Sequence, residues 1–144
     1  EIALSSFVVA WFKDLKKLTE DSRWCYPNSS DSGPVCPKSI TKQIRDRQLP
    51  SGKEPNKGRS SKAQALVLPG GKWTPHDLRR TGATIMTALG VLPEVAERCL
   101  NHTEENKVKR IYQRHSYGPE KQEAWDLLGM HARKLLHLGI SEDI

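Results

Sequence analysis

Trp73-Thr74-Pro75-His76-Asp77-Leu78-Arg79-Arg80-Thr81-Gly82-Ala83-Thr84-Ile85-Met86-Thr87-Ala88-Leu89-Gly90 holds the start, body and stop of one helix. Thr74 is a good N-cap. Pro75 fits N1, where its missing N–H would have no partner, and Asp77 at N3 completes a capping-box-like start. Gly90 supplies the left-handed residue that ends the helix after Leu89. At about 100° per residue, Leu78, Ile85 and Leu89 share a narrow arc and are expected to face the core. His76, Arg79 and Arg80 fall on the opposite side. An imidazole and a guanidinium near a helix N-terminus, where free N–H groups favour an anion, suit phosphate oxygens. Taken alone, the same face also reads as an ordinary solvated helix surface.

Downstream, Pro93 opens a short helix through Leu100, and Leu100-Asn101-His102 closes it. His102 reads there as a C-terminal cap or as a hydrogen-bond donor to an anion. Thr103-Glu104-Glu105 opens another helix, with its acids at the positive end of the dipole. In Lys107-Val108-Lys109-Arg110-Ile111-Tyr112-Gln113-Arg114-His115, four of nine residues are Lys or Arg, and Val108 and Ile111 supply a buried edge. Tyr112 is either a half-buried tyrosine with its hydroxyl at the surface or, in this basic setting, a nucleophile or stacking platform. Gly118-Pro119-Glu120 starts a last helix to about Leu138. Ala124, Leu128, His131, Leu135 and Leu138 form its stripe, with Trp125 and Ala132 beside it.

Upstream, residues 4–20 predict an amphipathic helix with Phe7, Trp11, Leu15 and Leu18 in line and Ser5 or Ser6 as N-cap. A shorter helix is expected from Ser39 to about Gln48, with Ile40 and Ile44 inward. Residues 21–38 are rich in turn formers, with Trp24 and Tyr26 as anchors rather than base-stacking groups. Residues 50–63 lack an apolar period and read as a mobile basic loop, either solvated or touching phosphates through Lys53, Lys57, Arg59 and Lys62. Ala65-Leu66-Val67-Leu68 reads as a short extended piece. The expected fold is mainly α with at most a small β element, in one compact domain over residues 1–144.

The 144 residues carry 23 Lys and Arg against 17 Asp and Glu, a net charge of +6, and the sequence pI is near 9.4. That excess favours a polyanionic partner without proving one. No apolar run of about 18 residues is present, which argues against a membrane helix. The first residues lack a signal-peptide pattern and an initiator Met, so a piece of a longer or processed chain is expected. Cys25, Cys36 and Cys99 read as reduced thiols of a cytoplasmic protein. Cys25 and Cys36 lack the spacing of a zinc site, and no metal or other cofactor is expected.

Each of these signals is weak by itself, but their order and spacing are not. His76-x-x-Arg79, then Leu100-Asn101-His102, then Tyr112 ten residues later resembles the signature of tyrosine recombinases, the phage-integrase family. Trp73 to Thr81, Pro93-Glu94-Val95-Ala96-Glu97 and Tyr112-Gln113-Arg114-His115 look most like integrases of prophages and genomic islands. The likeness is strong over residues 73–128 and moderate over 1–20, where Ile2 to Ser5 looks like a strand entering a helix. It is faint over 21–66.

The resemblance implies strand exchange between double-stranded DNA attachment sites by transesterification, without metal, ATP or other cofactor. Tyr112 would be the nucleophile, Arg79 would hold the non-bridging oxygens, His76 would assist proton transfer from the tyrosine or orient the phosphate, and His102 would donate a hydrogen bond to it. Arg80, Lys107, Lys109, Arg110 and Arg114, with the loop cations, would contact DNA, and the protein would assemble as a tetramer on it. In the family pattern an Arg and a hairpin Lys precede this region. Neither has a counterpart among residues 1–144, so this stretch alone is expected to bind DNA weakly and cleave slowly or not at all. Two alternatives remain open: a DNA-binding or assembly module of the same fold without chemistry, and a topoisomerase of the same mechanistic type, which fits the Leu-Asn-His and Tyr-Gln-Arg-His strings less well. The last helix could pack in cis or dock on a neighbouring protomer.

Overall fold

The computed structural model describes residues 3–19, 21–54, 62–101 and 116–137. They form five helices: α1 (Ser6–Lys17), α2 (Pro37–Asp46), α3 (Pro75–Ala88), α4 (Pro93–Cys99) and α5 (Gly118–His137). Most of the expected basic loop, the helix expected from Thr103 and the expected helix end at Leu138 lie outside the described residues. Among the described residues there is no sheet, only isolated antiparallel bridges at Pro27–Pro34 and Leu68–Gly71. The fold is mainly α, as expected. The chain packs as two compact units, Leu15–Leu78 and Glu1–Asp14 with Arg79–Ile144, so the division falls within α1 and α3.

In the second of these units the core is Met86, Val95, Ala96 and Ala124, with Val91, Cys99, Tyr117, Trp125 and Leu128 packed against it. Met86 is 1% exposed whereas Leu78 is 57% exposed, which corrects the expected inward stripe. The buried side of α3 runs through Met86, and a Cβ added at Gly82, one turn earlier, would lie 3.9 Å from Leu128 Cδ2. Leu78 lies a turn before this contact and gains nothing from sharing the arc. α3 ends in a Schellman motif: Gly90 has φ +91°, its N–H donates to Thr87 O at 3.0 Å, and Val91 N–H donates to Met86 O at 3.0 Å. Asn101 ends α4 in the same left-handed region, at φ +59°.

Ser5, buried, is the N-cap of α1, its Oγ accepting from Val8 N–H at 3.3 Å. Ala3 to Ser5 form no strand. Their surroundings supply other partners: Leu4 O accepts from Gln122 Nε2 at 3.1 Å, and Ser6 N–H donates to Asp126 Oδ1 at 3.4 Å. At this approach Gly129 of α5 faces Ser5 so closely that a Cβ there would lie 2.6 Å from Ser5 Oγ. Phe7 and Trp11 meet edge to face at 6.3 Å.

In the Leu15–Leu78 unit, α2 begins at Pro37, with Cys36 as an N-cap that makes no side-chain bond. The start lies two residues ahead of Ser39 because Pro37 takes N1. Ala63 to Leu66 make a turn rather than an extended piece, with Ala65 N–H donating to Lys62 O at 3.2 Å and Val67 N–H to Gln64 O at 3.2 Å. Two backbone bonds tie this turn to the exit of α2: Leu66 N–H to Arg47 O at 3.0 Å and Leu49 N–H to Ala63 O at 2.9 Å. Arg23 lies 5.5 Å over the half-buried Trp24 ring, while Tyr26, expected as an anchor, is 52% exposed.

Candidate functional site

The start of α3 has the local chemistry its sequence requires. Thr74 N–H and Oγ–H donate to Asp77 Oδ2 at 2.9 and 2.8 Å. Asp77 N–H returns a longer bond to Thr74 Oγ1 at 3.4 Å. This is a reciprocal capping box with Asp in the Glu position. It fixes where the helix begins, and hence the register of His76 and Arg79, three residues apart on the same helix.

A second device fixes the chain just ahead of that box. Gln48 is 5% exposed. Its Nε2 donates to Trp73 O at 2.9 Å and its Oε1 accepts from Trp73 N–H at 2.8 Å. The Trp73 indole N–H donates to Leu66 O at 2.9 Å. A buried primary amide matched to both backbone groups of one residue imitates a strand partner and leaves neither group unsatisfied. Sequence reasoning misses Gln48, since no local pattern links it to a residue 25 positions away.

His76, Arg79 and Arg80 are exposed. Among the described residues the side chains of His76 and Arg79 have no hydrogen-bond or ion-pair partner, so both are open to an anionic ligand. Arg80 is engaged in an interaction of its own. Lys53 and Lys62 are exposed as well. His102, Tyr112, Lys107, Lys109, Arg110, Arg114, Lys57 and Arg59 lie outside the described residues.

A second tyrosine lies near the candidate nucleophile in sequence, and it is committed elsewhere. Tyr117 has φ +53°. Its hydroxyl donates to Glu94 Oε1 at 3.0 Å, and Arg98 sits 5.3 Å over its ring. The Glu94 bond, then desolvation, then the Glu94 charge hold the phenol above its usual pKa, against the opposing charge of Arg98. The raised pKa keeps the Tyr117 phenol protonated. Tyr117 instead links the start of α5 to α4. Among the described residues no cluster of three or more His, Cys, Asp or Glu could hold a metal ion.

The family model described as the phage integrase family matches residues 1–118, and the chain belongs to that family. The match spans the 21–66 region, where the strings show little likeness, and ends at the first residue of α5. Neither the curated proteins nor the solved structures contain a match to the sequence. Family membership places the chain among DNA-binding proteins of integration and site-specific recombination, in the tyrosine-recombinase class. No helix among the described residues is long and apolar enough to cross a membrane.

Proposed function

We propose that this chain is the C-terminal part of the catalytic domain of a prophage or genomic-island integrase. It would recombine attachment sites through a 3′-phosphotyrosyl intermediate. The observation that carries this reading is the family match over residues 1–118, which takes in His76, Arg79, His102 and Tyr112. The open side chains of His76 and Arg79 on a helix with a fixed start support it. In the reaction the Tyr112 oxygen attacks the scissile phosphorus and the bond to the 5′ oxygen breaks. The phenol proton leaves, a step in which His76 assists unless it serves to orient the phosphate, and a proton reaches the departing 5′ oxygen. Arg79 holds the non-bridging oxygens and His102 donates to the phosphate. Phosphoryl transfer depends chiefly on positioning and charge stabilisation, which these groups supply without metal. The phosphotyrosyl bond conserves the energy needed for rejoining.

Arg80, Lys107, Lys109, Arg110 and Arg114, with Lys53, Lys57, Arg59 and Lys62, are the proposed backbone contacts, and a tetramer on DNA is the proposed assembly. Cleavage is expected from a protein that also supplies the family's earlier Arg and hairpin Lys, and very little from residues 1–144 alone. The test is a suicide attachment-site duplex incubated with the protein that carries all of these residues, with the covalent adduct mapped by mass spectrometry. Tyr112→Phe should abolish the adduct and leave binding nearly intact, since only the hydroxyl is removed. Arg79→Ala should slow cleavage by about 10²–10³-fold. An adduct on another residue overturns the assignment of Tyr112, loss of binding together with cleavage in Tyr112→Phe gives Tyr112 a structural role instead, and binding with no adduct at all favours a module without chemistry.

A further inference from the structure

The turn-rich stretch ahead of α2 folds back on itself in a fixed antiparallel register. Asn28 N–H donates to Gly33 O at 2.8 Å, and Val35 N–H donates to Tyr26 O at 2.7 Å. Between these bonds Pro27 and Pro34 face each other as an antiparallel bridge. They form a non-hydrogen-bonded pair, where a residue without an N–H costs the pairing nothing. The tip holds the register: Asn28 Oδ1 accepts from Ser32 N–H at 3.1 Å, and Asp31, at φ +52°, turns the chain. Carried one step past Tyr26 and Val35, the same register sets Cys25 opposite Cys36, at the next non-hydrogen-bonded pair. At such a pair opposed α-carbons lie about 4.5 Å apart and both side chains leave on one face. A disulfide joins α-carbons about 4.4–6.8 Å apart, so a pair of this kind is within its reach.

Both thiols are exposed. Cys36 precedes α2 as its N-cap but makes no side-chain bond there, so its sulfur is not tied down. Cys25 lines the apolar groove beside Ile40 and Ile44 of α2. We infer that Cys25 and Cys36 are a redox pair that closes to an intramolecular disulfide when a small-molecule disulfide is supplied as oxidant. One thiolate attacks a sulfur of the oxidant, forming a mixed disulfide and releasing one small thiol. The second thiolate attacks the protein sulfur of that mixed disulfide, forms the Cys25–Cys36 bond and releases the second small thiol. The cysteines give up two electrons, and their protons end on the two released thiols. Backbone bonds already draw residues 26–35 into a closed turn, so closing the ring removes little further chain entropy. The bond would tie the entry of this turn to the first residue ahead of α2. The pair stands apart from the recombinase reading, which rests on the Tyr112 adduct.

The measurement is equilibration of the chain in mixtures of reduced and oxidised glutathione, followed by an acid quench, alkylation and peptide mapping by mass spectrometry. The expected product is one linked peptide pair, Cys25 with Cys36, while Cys99 is recovered alkylated. The effective concentration of the pair is read from the glutathione mixture that half-oxidises it. It should be at least about tenfold higher in buffer than in urea, where residues 26–35 act as a short flexible linker. Cys25→Ser and Cys36→Ser should each stop at a glutathione adduct on the cysteine that remains. Thiols that stay free throughout, adducts on both cysteines of the parent without a link, a link to Cys99 or to a second chain, or an equal effective concentration in urea overturns the pair.

Discussion

At the residue scale, Tyr117 lies five positions after the proposed nucleophile Tyr112 and has a partner of its own. Tyr117 is bound to Glu94 through a protonated hydroxyl, and its pKa is raised chiefly by that bond. The unfolded chain, with a tyrosine near the ordinary value of about 10, loses its proton first. The stabilisation from the bond is therefore complete below pH of about 10 and is lost as pH rises through the higher native value. Tyr117→Phe should lower the urea midpoint at pH 8, and the gap to the parent should close in strongly alkaline solution. A gap that stays constant with pH would assign the loss to packing instead. The three cysteines divide in a related way: Cys25 and Cys36 are exposed, while burial pushes the Cys99 thiol up against the opposing charge of Lys121.

At the scale of elements, local signals are legible in the sequence and distant ones are not. Thr74, Pro75, Asp77 and Gly90 act on their neighbours within a few residues, so sequence alone locates the start of α3 and its stop to within one residue. Leu78 faces outward against expectation because periodicity states which residues share a face, not how far along the helix a partner extends. The role of Gln48 is invisible in sequence, since its bonds are to backbone atoms of Trp73, which carry no sequence signature. Residues 65–68 have the composition of a strand, but no strand pairs with them among the described residues; Ala65 and Val67 N–H bond within the turn, while Leu66 is tied to Arg47 and Trp73. Of the candidate site, the order of His76, Arg79, His102 and Tyr112 is legible, while the position of the last two lies outside the described residues.

Gly129 offers the sharpest test of packing between elements. Alanine normally favours a helix interior over glycine by about 1 kcal/mol. Here the added Cβ would meet Ser5 Oγ at 2.6 Å and Ser5 Cβ at 2.8 Å, and Ser5 is also the N-cap of α1. Gly129→Ala should therefore destabilise the fold by about 1–3 kcal/mol in urea unfolding, the usual range for overpacking. A neutral or stabilising outcome would mean that α1 and α5 do not approach as closely as described.

At the scale of the whole molecule, few apolar side chains among the described residues are fully buried, and polar ties carry much of the specification there. The fully buried apolar core of the described residues is confined to one unit. The other relies on the Gln48–Trp73 pair, the Trp73–Leu66 bond and the Arg47–Leu66 and Leu49–Ala63 bonds. These bonds stitch residues 47–49 to 63–73 and so bracket the interval from Pro50 to Lys62 on both sides. The described residues Gly52 to Glu54 next to that bracket are exposed, which makes the position after Glu54 an insertion point for an affinity tag or a fluorophore. Loop closure grows only logarithmically with length, so doubling the interval should cost about 0.6 kcal/mol and lower Tm by about 2–3 °C. The thermal melt of a chain carrying a Gly/Ser insert after Glu54 checks this, and a collapse of the transition would show the interval to be structural. If the melt survives, Pro50 to Lys62 becomes a place where new cargo can be carried without redesigning the scaffold around it.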